Sequence, residues 1–266
     1  MTARTFLVRG LLAGLVAGLL TFAVAYVVGE PQVETAIGLE ESASAPAPAH
    51  SHDDGGTAVA AHAHSHDDEE AVVSRGTQRT WGLLTGSLAV GVALGGIVGL
   101  VSAATVGRLG RLSPRQSTGV VAAVGFVGFA LVPFLKYPAT PPAVGSADTI
   151  GARTEYYFLF VLVSLLAAVA ATVLAHRVAA RRGAYAGLLA GGAAYLLVVV
   201  IVGTLMPTVN EVGDFPADTL WFFRRASLIT LTTMWAVIGL VLAGLVGRDH
   251  RRLVARQQRR DLAASL

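Results

Sequence analysis

Six long apolar stretches, separated by short polar segments, restrict the folds open to this chain more than any other feature. Each is close to the roughly 20 apolar residues that a helix needs to cross a bilayer. Only 14% of the 266 residues are charged, whereas a soluble domain carries about 25%. Because lipid cannot hydrogen-bond to the backbone, spans of this kind form helices. The predicted spans lie at about 7–28, 81–106, 117–135, 155–175, 184–206 and 226–247.

The distribution of basic residues predicts how these spans are oriented. With the N-terminus in the cytoplasm, fourteen of the 20 Lys and Arg residues fall on the cytoplasmic side, in agreement with the positive-inside rule. We therefore predict an all-α, polytopic membrane protein with six transmembrane helices and cytoplasmic N- and C-termini. Lys136 is the only lysine, an arginine bias typical of GC-rich prokaryotes, which predicts a multi-pass protein of the prokaryotic inner membrane.

The first span leaves one alternative open. Its "FAVAYV" contains a small-x-small pattern of the kind that signal peptidase cleaves, and removal of the span would leave five helices. The apolar run is longer than the 7–15 residues of a usual signal core, which favours the uncleaved helix. The predicted organisation is then residues 1–28 for the N-terminus and first span, 29–80 for an extracytoplasmic loop, 81–247 for a five-helix bundle, and 248–266 for a basic cytoplasmic tail.

The long extracytoplasmic loop carries an unusual run of histidine and aspartate, which we call the histidine ribbon (residues 50–68). "HSHDD" occurs twice, at 50–54 and 64–68, and five of the seven histidines fall within 17 residues. The surrounding Ala, Pro, Ser and Gly show no apolar period, so this part of the loop is predicted to be disordered when empty. The alternative is a solvating linker whose histidines are incidental. The candidate ligands are His50, His52, Asp53, Asp54, His62, His64, His66, Asp67 and Asp68.

Small residues recur at every fourth position of the spans. This spacing lets two helix backbones approach closely in lipid, and it predicts tight helix packing; a widened pore is the alternative. The positions concerned are Gly10, Gly14 and Gly18, Gly82 and Gly86, Gly91, Gly95 and Gly99, and Gly187 and Gly191.

The middle of every span lacks an ionisable residue, and the chain has no P-loop and no cysteine. This pattern predicts neither a proton-coupled pump nor an ATPase, and no enzyme. Polar residues collect at the extracytoplasmic helix ends instead, where they could surround a mouth or merely anchor the helices in the interface. The candidate mouth ligands are Glu30, Glu34, Asn210, Glu211 and Asp214, and the predicted structural ion pairs involve Lys136, Arg153, Glu155, Arg224 and Arg225. The alternative to a ligand role for Glu211 is an ion pair with Arg224 or Arg225.

Several of these segments resemble the CbtA-type cobalt transporter subunits over about 9–247. The segments are "GEPQVETAIGLEE", "SRGTQR", "LVPFLKYPATPPAVGSADTIGARTEYYF" and "PTVNEVGDFPADTLWFFRRASL". The resemblance implies a polytopic subunit of a cobalt uptake system linked to cobalamin synthesis. It also implies a small CbtB-type partner with one membrane helix and a His-rich end. Family descriptions give five spans, whereas the hydropathy of this chain gives six.

A cobalt role fits the histidine ribbon. Imidazole and carboxylate suit Co2+, yet Ni2+ and Zn2+ bind such ligands at least as well. The ribbon is therefore predicted to capture metal, and selection must come from the helices or a partner. A non-transporting metal sensor or accessory protein, which delivers metal to another permease, is the alternative function.

Overall fold

In the computed structural model, which describes residues 1–44, 73–110 and 112–265, all regular structure is helical. Six helices are long and apolar enough to cross a membrane. This confirms the predicted all-α, polytopic fold and the number of spans. The helices are α1 (Ala3–Ala43), α2 (Arg75–Thr105), α3 (Pro114–Lys136), α4 (Ala147–Arg182), α5 (Ala184–Leu205) and α6 (Ala217–Ala264).

Several helices run past the ends that hydropathy predicts. Residues 30–44 and 75–80, predicted as parts of the loop, are helical, and α6 continues through most of the basic tail. α1 passes Pro31, whose ring would clash with a carbonyl of a regular helix, because a π-helical turn at Ala25–Gly29 precedes it and shifts the hydrogen bonding. The histidine ribbon lies outside the described residues.

Four of the helices share one apolar core. α1 packs on α2 and α6, and α6 also packs on α3. Phe6 of α1 and Ile238, Leu242 and Val246 of α6 are buried in this core. Trp235 lies beside them and contacts the Phe129 ring of α3 at a centroid distance of 6.0 Å. α3 itself contains a π-helical stretch at Phe126–Leu131.

The contact between α1 and α2 is made by backbone rather than by side chains. A Cβ atom added at Gly14 would lie 2.1 Å from the Gly91 carbonyl oxygen, and one added at Gly10 would lie 2.2 Å from that of Gly95. The tight packing predicted from these glycines is confirmed. Gly86, predicted as part of the same pattern, has no neighbour within 4 Å of such a Cβ atom.

α4 and α5 form a hairpin beside this four-helix group. Gly183 joins them with φ 89°, a conformation that glycine adopts without strain. Gly187 and Gly191 bring the two backbones together against Ala175 and Ala179. A hydrogen bond of 2.8 Å also links the Ser164 and Tyr195 hydroxyl groups. The hairpin packs on α3 through a second apolar cluster, which includes Phe160, Tyr195, Val127 and Val132.

Successive spans run in opposite directions, so α1, α3 and α5 finish at the end of the bundle where α2, α4 and α6 begin. Ion pairs and hydrogen bonds join the end of α1 to the start of α2, and the end of α3 to the end of α5. We call this end, which also holds residues 137–146 and 206–216, the loop end.

Candidate functional site

The segment that follows α5 is non-helical, as its sequence predicts. Met206 is extended, with φ −77° and ψ 146°, since the residue before a proline avoids the helical conformation. No helix resumes until Ala217. Residues 206–216 therefore lie across the loop end as irregular backbone.

Two carbonyl groups at this break are already occupied. The Lys136 ammonium donates to the Met206 carbonyl oxygen at 3.3 Å, and the Tyr137 hydroxyl donates to that of Pro207 at 2.8 Å. Lys136 was predicted to form an ion pair. The structure gives it a carbonyl partner instead, because α5 ends directly beside α3.

Glu211 ties this segment to the start of α4. Its Oε2 accepts hydrogen bonds from the Thr149 hydroxyl at 2.8 Å and from the Ser146 amide at 3.2 Å. The Arg153 Nε lies 3.5 Å from the same oxygen. Amide groups at a helix start lack partners within the helix, and Glu211 supplies one from another segment. The sequence suggested Arg224 or Arg225 as its partner, and that alternative is wrong, because Arg153 takes this place.

These contacts lower the pKa of the Glu211 carboxyl below its usual value, chiefly through the Thr149 hydrogen bond and further through the Ser146 amide and Arg153. The depressed pKa means that the ionised carboxylate stabilises the folded protein. This stabilisation is fully present above the ordinary carboxyl pKa of about 4.3 and is lost as the pH falls through the depressed value.

Glu211→Gln should therefore lower the unfolding temperature of the detergent-solubilised protein at pH 7. The difference between wild type and variant should shrink as the pH falls below about 4.3. Thermal unfolding of both proteins between pH 7 and pH 3.5 would check this. Asp218→Asn is a suitable control, because its carboxylate accepts only from the amide of the next residue. A constant difference across the whole range would contradict the assignment.

Two of the other predicted mouth ligands, Glu30 and Glu34, have partners of their own. Glu30 pairs with Arg75 at 2.5 Å, and Glu34 pairs with Arg79 at 3.3 Å, so both join the end of α1 to the start of α2. Asn210 and Asp214 are exposed in the segment that follows α5. Across residues 1–44, 73–110 and 112–265, no three His, Asp or Glu residues are grouped closely enough to hold a metal ion.

A cavity of about 500 Å³ opens at the loop end between α3, α4, α6 and residue 209. Three cationic side chains contribute to its walls, and no acidic residue or histidine of the described ranges belongs to its lining. Aromatic and aliphatic side chains supply most of the rest. The cavity is lined by Phe134, Lys136, Tyr137, Pro138, Ala139, Thr140, Ile150, Arg153, Thr154, Tyr157, Phe158, Val209, Arg224 and Leu231.

Of the five predicted ion-pair residues, only Arg153 has a carboxylate partner within the described part of the chain. Glu155 is exposed on the outside of α4, and Arg225 lies over the Phe222 ring at 4.9 Å. The sequence pattern also missed Ser146 and Thr149 as partners of Glu211. Ser146 lies just before α4 and Thr149 lies in its first turn, and this position at a helix start, where capping hydroxyl groups are common, was the available signal.

Comparison with known families gives one match. The family described as "Probable cobalt transporter subunit (CbtA)" matches residues 3–247, which include all of α1–α5 and most of α6. No curated protein and no solved structure matches the chain.

Proposed function

Since the chain belongs to the CbtA family of probable cobalt transporter subunits, we propose that it is the membrane subunit of a divalent metal uptake system with Co2+ as its cargo. The family match over 3–247 carries this proposal. We place the protein in the prokaryotic inner membrane, with both termini cytoplasmic, and link its cargo to cobalamin synthesis. We assign it no catalytic reaction.

Metal capture is the role we propose for the histidine ribbon. Neutral imidazole and carboxylate are suitable ligands for Co2+, and the two "HSHDD" copies together with His62 supply nine of them. Glu30 and Glu34, through their partners Arg75 and Arg79, hold together the helices from which the loop leaves. The captured metal is thereby kept near the loop end of the bundle.

The ribbon alone cannot select cobalt. Ni2+ and Zn2+ bind the same ligand types at least as tightly, so selection belongs to the bundle or to a partner. Of the predicted mouth ligands at the loop end, those left for a passing ion are Asn210, Asp214 and the second carboxylate oxygen of Glu211, because Oε2 is already bonded. A CbtB-type subunit, with its single helix and His-rich end, is the partner we propose.

One observation favours a second function. The cavity at the loop end has cationic walls, which repel a bare divalent cation. A chain that collects metal on its ribbon and passes it to another permease needs no cation path through its own helices. This accessory role is the alternative to transport.

A flux assay separates the two functions. The purified chain is reconstituted in liposomes with and without the small partner, and Co2+ entry is measured in competition with Ni2+ and Zn2+. Entry that depends on this chain, with or without the partner, supports transport. Absence of entry under both conditions, with metal still bound by the protein, supports the accessory role.

Deleting residues 50–68 should raise the Co2+ concentration that gives half-maximal uptake. The maximal rate should stay within about twofold, because a capture segment raises the local metal concentration without forming the path through the helices. Uptake measured over a range of Co2+ concentrations in cells that express equal amounts of protein would check this. Loss of uptake at saturating metal would contradict it.

Point variants provide the matched control for this deletion. Replacing the five ribbon histidines with serine keeps the length of the segment and should reproduce the effect of the deletion. Replacing alanines of the same segment, among them Ala58, Ala60 and Ala63, with serine should leave uptake unchanged. An equal effect of the two sets would show that the length or composition of the segment, rather than its imidazoles, matters.

A further inference from the structure

The cavity at the loop end carries positive charge, which repels a metal cation and attracts an anion. Lys136, Arg153 and Arg224 contribute to its walls, and none of the acidic residues that the structure describes does. Glu211, which is not among the lining residues, pairs with Arg153. Two positive charges at the cavity, those of Lys136 and Arg224, therefore have no carboxylate partner within residues 1–44, 73–110 and 112–265.

Arg224 is the strongest indication that a ligand binds in this cavity. It lies in the second turn of α6 and is partly buried, and its Nε is shielded from solvent without a hydrogen-bond partner. Across the described part of the chain, the Arg224 guanidinium forms no hydrogen bond or ion pair. A charged donor left unpaired in a buried position is costly, and arginine matches phosphate oxygens well.

Lys136 adds a second donor. One of its three ammonium hydrogens is bonded to the Met206 carbonyl oxygen, and an ammonium group can donate three hydrogen bonds. The ammonium also lies 5.3 Å from the centre of the Tyr137 ring. The lysine is thus held at the cavity wall with donors left for an anion.

The remaining walls are apolar and reach the outside of the bundle. Ile150 is 54% exposed and Phe158 is 61% exposed, yet both line the cavity. In a membrane-spanning bundle, the outer surface beside such residues faces lipid. Phe134 and Leu231 continue the apolar lining inward. A ligand that fits has an anionic group for the two cations and a hydrocarbon part for this surface.

We propose that the cavity binds the phosphate group of a phospholipid from the leaflet at the loop end. Arg224 and Lys136 hold the phosphate oxygens, and an acyl chain lies against Ile150 and Phe158. Free inorganic phosphate shares the oxyanion chemistry but makes none of the apolar contacts. Basic pockets between membrane helices bind lipid head groups in the same physical way.

The test measures lipid binding to the full-length protein in detergent, without added metal. Native mass spectrometry follows titration with phosphatidylglycerol. Arg224→Gln and Lys136→Gln should each weaken binding of the first lipid by roughly tenfold, the loss of one charge-assisted hydrogen bond. Arg224→Lys should retain more binding than Arg224→Gln. Arg225→Gln is the matched control, since Arg225 carries the same charge one position along α6 but is not among the cavity residues. The affinity of this variant for the first lipid should stay within about twofold of the wild-type value.

Equal weakening in Arg224→Gln and Arg225→Gln would overturn the proposal, because binding would then follow net charge rather than the cavity. Displacement of the lipid by an equimolar amount of inorganic phosphate would overturn the phospholipid as occupant. If Arg224→Gln does not fold, the lipid affinity of Lys136→Gln is compared with that of Arg225→Gln instead, and equal weakening again overturns the proposal. The result does not depend on metal transport, since no metal is present.

Discussion

Gly14→Ala is expected to reduce the thermal stability of the protein strongly. The added Cβ atom would lie 2.1 Å from the Gly91 carbonyl oxygen and 2.8 Å from the Val92 Cα, and neither atom belongs to a side chain that could turn away. α1 and α2 must therefore separate. Overpacking of this kind costs about 1–3 kcal/mol in well-packed interiors, and the upper end applies here because backbone meets backbone. Thermal unfolding of the detergent-solubilised protein would measure the loss.

The chain offers a matched control for this substitution. Gly86 lies in α2 as Gly91 does, but a Cβ atom added there would have no neighbour within 4 Å. Gly86→Ala should be neutral or slightly stabilising, because alanine favours a helix over glycine by up to about 1 kcal/mol. Replacement of glycine by alanine is thus expected to lower thermal stability at position 14 and to leave it unchanged or raise it slightly at position 86. Similar unfolding temperatures for the two variants would contradict the observed helix contact.

Glu211→Gln should reduce Co2+ uptake far more than replacing any single ribbon histidine with alanine. The ribbon offers five imidazoles, so four remain after one is removed, whereas Glu211 is the one acidic residue joined to Arg153 at the loop end. Glutamine keeps the Thr149 hydrogen bond but removes the charge, so the protein should fold while uptake at saturating Co2+ falls roughly tenfold. Initial uptake rates for Glu211→Gln and His64→Ala at equal expression would check this.

A charge exchange separates the two roles that Glu211 could have. Glu211→Arg combined with Arg153→Glu keeps opposite charges at the two positions, which lie 3.5 Å apart in the wild type. We expect the double variant to recover thermal stability relative to Glu211→Arg alone but not to recover uptake. Recovery of both would show that Glu211 acts only through its ion pair, and it would remove this residue from the proposed metal path.

Hydropathy and glycine spacing predicted the helices because both are local properties of the sequence. Six apolar runs are sufficient to predict six spans, and Gly10 and Gly14 have few uses in lipid besides close packing. The length of α1 was missed because the π turn before Pro31 cannot be recognised from residue types alone.

The partners of the charged residues were harder to predict, because they depend on how helix ends from distant parts of the chain lie beside one another. Glu211 and Arg153 are 58 positions apart, and Arg224 is closer to Glu211 in the sequence. Proximity along the chain therefore favoured Arg224 as the ion-pair partner of Glu211, whereas the partner in the structure is Arg153. The lack of acidic residues among the described residues of the cavity lining could likewise not be predicted from the sequence, because the lining is formed by α3, α4 and α6 together.

The backbone contact between α1 and α2 also determines where this subunit could change shape. With carbonyl groups against glycine Cα atoms, the two helices cannot slide without collision, so they form one stationary body together with α6. The α4–α5 hairpin meets that body mainly through α3, at the π-helical stretch Phe126–Leu131, and such stretches are frequent at functional sites. A transport cycle in which one part of the subunit rocks against another would therefore have its pivot at α3, with the hairpin as the moving arm.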